Sequence, residues 1–296
     1  MTSRQPIAVL GATGNQGGHV ARALLEAGWP VRAITRHPES PRAKALASYG
    51  AEIIQADMGE VDTLIRAFEG VHGVFSVQNF WELGLREEVR LGTNVIEAAQ
   101  AVGNPHVVYS SGLGAETVQG ITAIDGKALL EERLRQSGLP FTILRPGLFM
   151  DDFLGASLPF ARPVQRLLRH YRPLVGQLFL ATLREVVSRG GTIPLTSVAD
   201  VGRVSAWAWD SIPRSLFQVY PLVGSLEDAE LICNQWENIT GHRVPRIPAL
   251  APGTRIFHPK IAHLLEWLSC QPTEITTYPF HLLSLGDWLL RTHGLT

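Results

Sequence analysis

A glycine-rich turn near the start of the chain constrains the fold more than any other feature. Residues 11–18 read Gly-Ala-Thr-Gly-Asn-Gln-Gly-Gly and lie between an apolar run, Ile7–Leu10, and a segment of helical periodicity. In such a turn, Gly11 allows the sharp bend, Gly14 lets backbone N–H groups approach a pyrophosphate, and Gly17 allows the helix to pack closely on the strand. The turn therefore predicts a dinucleotide site at the N-terminus of the first helix, with an ordinary strand-to-helix turn as the alternative.

The first 150 residues alternate between short apolar runs and segments of helical periodicity. Short apolar strands separated by helices are typical of a parallel sheet that is covered on both faces. The predicted strands cover residues 7–10, 31–34, 52–56, 72–77, 106–110 and 141–144, and the predicted helices cover residues 15–27, 42–48, 61–68, 86–102 and 127–136. We therefore expect an α/β fold built on a Rossmann-type doubly wound parallel sheet.

The second half of the chain has a different composition. Fourteen of the nineteen prolines lie from Pro140 onward, and five of the seven tryptophans lie beyond residue 200. Proline interrupts regular elements, and tryptophan provides a large rigid contact area. We therefore expect a Rossmann domain over residues 1–153 and a smaller α+β C-terminal domain over residues 154–296, partly interleaved with the first.

The end of the second predicted strand distinguishes between the two nicotinamide dinucleotides. An acidic residue there would bind the ribose 2′-hydroxyl of NAD, but no acid occurs from residue 30 to 38. Arg36 stands at this place, and a guanidinium can grip a 2′-phosphate with two hydrogen bonds. The sequence therefore predicts NADP(H), to which Arg42 and Lys44 would add positive charge. Asp57, after the third strand, would accept a hydrogen bond from the adenine amino group or serve as a turn residue.

Composition narrows the class of protein further. The chain has 26 Lys and Arg against 27 Asp and Glu, so a protein that coats nucleic acid is not expected. Its two cysteines exclude a disulfide framework, and the histidines lack the helical spacing of a metal site. No segment reads as a signal peptide or a membrane span, so we expect a cytoplasmic protein without metal or membrane contact.

A basic segment follows the Rossmann region. Residues 160–190 hold six arginines and one acid, with Arg162, Arg166, Arg169 and Arg172 at about helical spacing. Such a pattern fits a basic amphipathic helix for an anionic partner, a nucleic acid or a membrane surface. It also fits a solvated helical face over the cleft, or a dimer contact. We favour the second interpretation, because the rest of the chain is not basic.

Several motifs join the glycine turn and Arg36 in a recognisable order. They are Val77-Gln78-Asn79-Phe80-Trp81-Glu82, Val108-Tyr109-Ser110-Ser111-Gly112, Asp125-Gly126-Lys127 and Leu144-Arg145-Pro146-Gly147-Leu148-Phe149-Met150. In this order and spacing the sequence resembles the NmrA-like (HSCARG-like) family of atypical short-chain dehydrogenases/reductases, well over residues 6–153 and loosely over 196–296. The resemblance implies a Rossmann domain that binds NADP(H), a smaller C-terminal domain and a plausible homodimer.

The same resemblance implies roles for individual residues. It places Thr13, Asn15 and Gln16 in the phosphate turn, with Gly11, Gly14 and Gly17, and Arg36 at the 2′-phosphate. It places Gln78 and Asn79 near the nicotinamide ribose, and Lys127 as the active-site lysine that bonds the ribose hydroxyls. It also implies that Pro146 to Phe149 line the nicotinamide face.

One residue of the superfamily's usual catalytic pair is missing. The pair reads Tyr-x-x-x-Lys, but Ala123 stands four residues before Lys127, and alanine has no proton to transfer. Tyr109 is expected to point into the sheet. His19, Asp151, Asp152 or water remain as alternative donors, and Ser110 or Ser111 would polarise a carbonyl or simply end a strand.

Three functional hypotheses follow. The leading one is a redox-sensing or regulatory protein that binds NADP(H) and presents a different surface to a partner in each redox state. The second is an NADPH-dependent reductase of a quinone, imine or other small electrophile, with Lys127 and Ser111 as the candidate catalytic residues. The third is an interaction protein with a relic cofactor site.

Overall fold

The computed structural model describes residues 4–154, 172–187, 191–271, 273 and 278–294. Contacts divide the chain into two compact units, one of residues 1–145 and 198–220 and the other of residues 146–197 and 221–296. The expected division after residue 153 stays a prediction, because contacts define compact units whereas a domain is defined by independent folding.

Within the described ranges, ten strands form two sheets. Their bounds are β1 Ile7–Val9, β2 Val31–Thr35, β3 Glu52–Gln55, β4 Gly73–Ser76, β5 His106–Ser110, β6 Phe141–Pro146, β7 Leu148–Phe149, β8 Thr192–Thr196, β9 Gln218–Leu222 and β10 Ser225–Asp228. The larger sheet has the order β3-β2-β1-β4-β5-β6-β9, and the pairs from β3 to β6 are parallel. This order reverses between β1 and β4, so the predicted Rossmann-type sheet is confirmed.

Eleven α-helices are present among the described residues. Their bounds are α1 Asn15–Glu26, α2 Pro41–Ser48, α3 Val61–Phe68, α4 Phe80–Ala101, α5 Thr122–Gln136, α6 Arg172–Val186, α7 Val198–Asp210, α8 Ala229–Thr240, α9 Leu250–Phe257, α10 Pro259–Leu268 and α11 Leu285–Thr292. A 3₁₀-helix covers Met150–Leu154.

Two helices begin five or six residues earlier than the sequence predicts. The prediction for α4 started at residue 86, but the helix begins at Phe80 and contains Gly84 in a non-helical conformation, which interrupts its periodicity. The prediction for α5 started at Lys127, but the helix begins at Thr122. The true start was missed because the residue before it, Ile121, has no side chain that can cap a helix. Lys127 therefore lies inside the helix, one turn after Ala123.

The first unit includes a helix that comes from far along the chain. Helix α7 packs on α1, where a Cβ added to Gly202 would lie 2.7 Å from the carbonyl oxygen of His19. The apolar face of α1 is buried at Val20, Ala21 and Leu24. The helix that carries the glycine turn is therefore held between the sheet and α7.

The second unit contains the smaller sheet, in the order β10-β8-β7. Its core includes the buried side chains of Phe153, Trp236 and Trp288. The arginines at 162, 166 and 169 lie outside the described residues, and α6 begins at Arg172. None of the helices that the structure describes is both long and apolar enough to cross a membrane.

Candidate functional site

The glycine turn joins β1 to α1 at the carboxyl end of the sheet. Gly11 has a φ of +61°, which L-residues rarely adopt, and its carbonyl oxygen accepts a hydrogen bond of 2.8 Å from the Gly14 N–H. A Cβ added to Gly17 would lie 2.3 Å from the Gly11 oxygen. The backbone therefore requires glycine at 11 and 17, as the sequence predicts.

The N-terminus of α1 has the features of an anion site. The helix is capped at Gly14 without a side-chain hydrogen bond, and its first turn holds no acidic residue. The first N–H groups of a helix have no partner within the helix, and the dipole favours negative charge there. Gln16 extends from this turn to the end of β5, where its Oε1 accepts a hydrogen bond of 2.7 Å from Ser110 Oγ. The residues present therefore fit a pyrophosphate at this place.

Positive charge lies beside the turn. Arg36 follows β2 and is exposed, and the Arg42 Nη1 donates a hydrogen bond of 3.0 Å to the carbonyl oxygen of Thr13. Lys44, also exposed, pairs with Glu39 at 3.1 Å. The structure thus brings Arg42 to the glycine turn, whereas the charge of Lys44 is already balanced.

Three further predicted residues have partners within their own segments. The Asp57 Oδ1 accepts a hydrogen bond of 2.8 Å from the Gly59 N–H, which makes Asp57 a turn residue in this structure. The Asn79 side chain caps α4 by accepting from the Trp81 N–H at 3.1 Å. Gln78 donates from Nε2 to Ser76 Oγ at 3.0 Å, while its buried Oε1 has no hydrogen-bond partner.

Lys127 is held by a buried carboxylate. Its Nζ lies 3.0 Å from Glu88 Oε1, and Glu88 is fully buried, while 16% of the lysine side chain is exposed. The sequence analysis missed Glu88. The available signal was its spacing of seven residues from buried Val95 in α4, which places a charged residue on the core-facing side of that helix.

Ser111 belongs to a second buried ionic group. Its Oγ donates a hydrogen bond of 2.6 Å to Glu131 Oε1. Arg145 grips the same carboxylate with two hydrogen bonds, of 2.9 and 2.7 Å, and Arg135 adds a third at 2.6 Å. These contacts favour a structural role for Ser111, and its participation in catalysis stays a prediction.

Neither Ala123 nor Tyr109 fits the role of the usual proton donor. Ala123 is buried in α5. Tyr109 lies in β5 with its hydroxyl buried and without a hydrogen-bond partner. Burial raises the pKa of Tyr109 well above its ordinary value, and the carboxylates of Glu88 and Glu131 raise it further. A phenol with a raised pKa is a poorer acid, so Tyr109 is not suited to proton donation.

Asn15 and His19 lie in α1 of the first unit, and the remaining predicted residues lie in the second unit. Pro146 ends β6, and Phe149 pairs with Thr196 of β8. Asp151 and Asp152 lie in the 3₁₀-helix. No three His, Cys, Asp or Glu side chains could hold a metal ion together in the parts of the chain that the structure describes.

The sheet order, the glycine turn and the anion-type helix terminus define a Rossmann-fold protein with a dinucleotide-type phosphate turn. The model of the NmrA-like family matches residues 3–252. The chain therefore belongs to the NmrA-like family, as its motifs predicted.

The chain has curated relatives among fungal proteins. It is 40% identical over 167 residues to the NmrA-like family domain-containing oxidoreductase notA' of Aspergillus versicolor, a match that covers 52% of this chain and 47% of the relative. It is 37% identical over 160 residues to the oxidoreductase FrzB of a Cladobotryum species, with 50% and 48% covered. The matched part of the chain thus spans about half the length of these relatives.

Solved structures share the fold over nearly the whole chain. The NADPH-dependent quinone oxidoreductase of Escherichia coli, complexed with NADPH, has a TM-score of 0.69 at 23% identity and covers 98% of this chain and 100% of its own. The triphenylmethane reductase of a Citrobacter species, complexed with NADP(H), has 0.67 at 19%, with 97% and 99% covered. The negative transcriptional regulator NmrA, in complex with NADP, has 0.66 at 18%, with 98% and 91% covered.

Proposed function

We propose that this chain binds NADP(H) at the glycine turn and acts as a redox-sensing or regulatory protein. The observation that carries the binding proposal is the N-terminus of α1, which has no side-chain cap and lies beside Arg42. The pyrophosphate would lie on the backbone N–H groups of residues 14–17. Arg36 and Arg42 would hold the 2′-phosphate, and Lys127 would bond the ribose hydroxyls.

The regulatory role rests on the missing proton donor. The bound cofactor supplies a hydride, and a carbonyl that accepts it also needs a proton. Ala123 supplies none, and the phenol of Tyr109 is buried. Binding alone does not make a sensor, since the two redox forms must differ in their affinity for two states of the protein.

The second candidate is an NADPH-dependent reductase of a small electrophile. Lys127 is retained and fixed by Glu88, and two of the structural neighbours are named as reductases of a quinone and of triphenylmethane dyes. A quinone needs hydride more than a positioned acid, so such an acceptor suits a site without the tyrosine. Cytoplasmic location, a homodimer and the existence of a small-molecule substrate or a regulatory protein partner stay predictions.

The test of binding is a fluorescence titration with NADPH and with NADH. We expect tight binding of NADPH, weak binding of NADH, and a loss of roughly 10- to 100-fold in NADPH affinity for Arg36→Ala, since a hydrogen bond to a charged group contributes about 1.5–3 kcal/mol. Arg22→Ala is the matched control, because this exposed guanidinium of α1 packs on Tyr49 instead. Equal affinity for the two nucleotides would contradict the 2′-phosphate assignment.

Turnover separates the two candidate roles. The same protein is mixed with NADPH and a panel of quinones and imines, and the absorbance of NADPH is followed. Consumption that depends on both protein and acceptor would support the reductase, whereas binding without consumption would support the sensor. Failure to bind either nucleotide would refute both.

A further inference from the structure

A buried ion pair connects α4 and α5. Glu88 contributes the carboxylate from α4, and Lys127 contributes the ammonium from α5, with 3.0 Å between Oε1 and Nζ. Glu88 is fully buried, whereas Lys127 keeps a small exposed fraction. The pair therefore presents its cationic end toward solvent and its anionic end toward the core.

The packing of the two helices is built around this carboxylate. A Cβ added to Gly126 would lie 2.4 Å from Glu88 Oε2, so the absence of a side chain at 126 makes room for it. The same Oε2 is buried without a hydrogen-bond partner. Lys127 is thus the charged group that pairs with Glu88, and the carboxylate accepts no second hydrogen bond from the described residues.

The two buried carboxylates of α5, Asp125 and Glu131, have other partners than Lys127. The Oδ1 of Asp125 accepts a hydrogen bond of 2.8 Å from the Gln119 N–H. Glu131 pairs with Arg135 and Arg145 and accepts a further hydrogen bond from Ser111. Glu88 and Glu131 thus belong to separate ionic clusters. In the cluster of Glu88 and Lys127, one negative charge balances one positive charge.

This balance has a consequence for a nicotinamide cofactor. The oxidised nicotinamide ring carries a positive charge, and the reduced ring is neutral. A bare ammonium beside the nicotinamide ribose would repel the oxidised form selectively, while a neutral pair would not. We propose that Glu88 sets the relative affinity of this site for NADP⁺ and NADPH by neutralising Lys127. The inference rests on the proposed function, since it requires Lys127 to lie at the nicotinamide ribose.

The inference predicts opposite effects for the two partners. In Glu88→Gln the ammonium is unbalanced, so NADP⁺ binds more weakly relative to NADPH. In Lys127→Met the carboxylate is unbalanced, so NADP⁺ binds more tightly relative to NADPH, although both forms lose the hydrogen bonds of the lysine. The double variant carries neither charge, and its ratio returns toward that of the natural protein.

The experiment measures dissociation constants for NADP⁺ and NADPH at fixed salt, NADPH by its own fluorescence and NADP⁺ by calorimetry. For Glu88→Gln we expect the ratio Kd(NADP⁺)/Kd(NADPH) to rise about tenfold, equivalent to about 1.4 kcal/mol. Glu87→Gln is the matched control, since this adjacent carboxylate is partly exposed and pairs with Arg90 on the surface. Its ratio should stay unchanged.

The possible results distinguish a failure of the inference about Glu88 from a failure of the proposed function. If Glu88→Gln weakens both forms equally, Glu88 only supports the packing and the inference is wrong, while the proposed function stands. If the natural protein binds neither NADP⁺ nor NADPH, the inference and the proposed function are both wrong. If Glu88→Gln does not fold by circular dichroism, Lys127→Met decides alone, and a ratio that fails to decrease overturns the inference.

Discussion

Acid should weaken the folded protein through one histidine at the start of β5. His106 is buried, and its Nε2 lies 2.9 Å from Thr142 Oγ1. The Thr142 hydroxyl donates its own hydrogen to the carbonyl oxygen of Ser215 at 2.7 Å. The hydrogen-bond network therefore assigns the proton to Nε2 of His106. The other ring nitrogen, Nδ1, is buried without a partner, so a second proton there would have no acceptor.

The magnitude follows from the shift in pKa. Burial lowers the pKa of His106 from 6.5 to about 4, with a smaller contribution from His72 nearby. The unfolded chain takes up this proton near pH 6.5, but the folded chain does so only near pH 4. The contribution of His106 to the free energy of unfolding is therefore at its full value above pH 6.5, and it is lost as the pH falls from 6.5 to 4. At about 1.4 kcal/mol per unit, the full loss is about 3 kcal/mol.

The assay compares urea unfolding at pH 7.5 and pH 5.0. Titration of His106 should lower the free energy of unfolding by about 2 kcal/mol between pH 7.5 and pH 5.0. Glutamine cannot titrate, so the decrease between the two pH values should be about 2 kcal/mol smaller in His106→Gln than in the natural protein. His37→Gln, at an exposed histidine, should keep the full pH dependence. If His106→Gln keeps it as well, the argument from burial is refuted. Titration of His72 is common to all three proteins and cancels in the comparison.

Two further predictions concern packing and buried charge. Gly202→Ala should lower the free energy of unfolding by about 1–3 kcal/mol in urea melts, because its Cβ would lie 2.7 Å from the His19 oxygen. Gly253→Ala, with open space in α9, should be neutral or stabilising by up to about 1 kcal/mol. Arg145→Met should cost about 3 kcal/mol by thermal or urea unfolding, since it removes two hydrogen bonds from buried Glu131, and an unchanged midpoint would contradict that role.

The sequence predicted those parts of the fold that are recorded in local patterns. The bounds of α3, Val61–Phe68, and of β5, His106–Ser110, agree with the predicted segments. Helix α3 has one buried face, at Leu64, Ala67 and Phe68, which gives a helical period. Strand β5 is buried along its whole length, which gives a short apolar run. The glycine turn was predictable for another reason, because its geometry permits only glycine at 11 and 17.

The candidate site was predictable only where a motif names it. Lys127 belongs to such a motif, but its partner Glu88 lies 39 residues away on another helix, and no local pattern links the two. The contact of Arg42 with Thr13 could not be predicted from the sequence either, because it depends on how α2 packs beside the glycine turn. Pairing between distant segments is a property of the packed structure and leaves no periodicity in the sequence.

The packing of α7 on α1 bears on how the protein is made. About 170 residues separate the two helices along the chain. At roughly 5–20 residues per second, ribosomes would synthesise that stretch in about ten to thirty seconds. During this time the face of α1 that carries His19 and Ala23 has no α7 packed on it, so the phosphate turn emerges long before its supporting helix. A fragment that stops at residue 153 would leave the face permanently uncovered, which makes it a poor choice for expression and a natural target for chaperones.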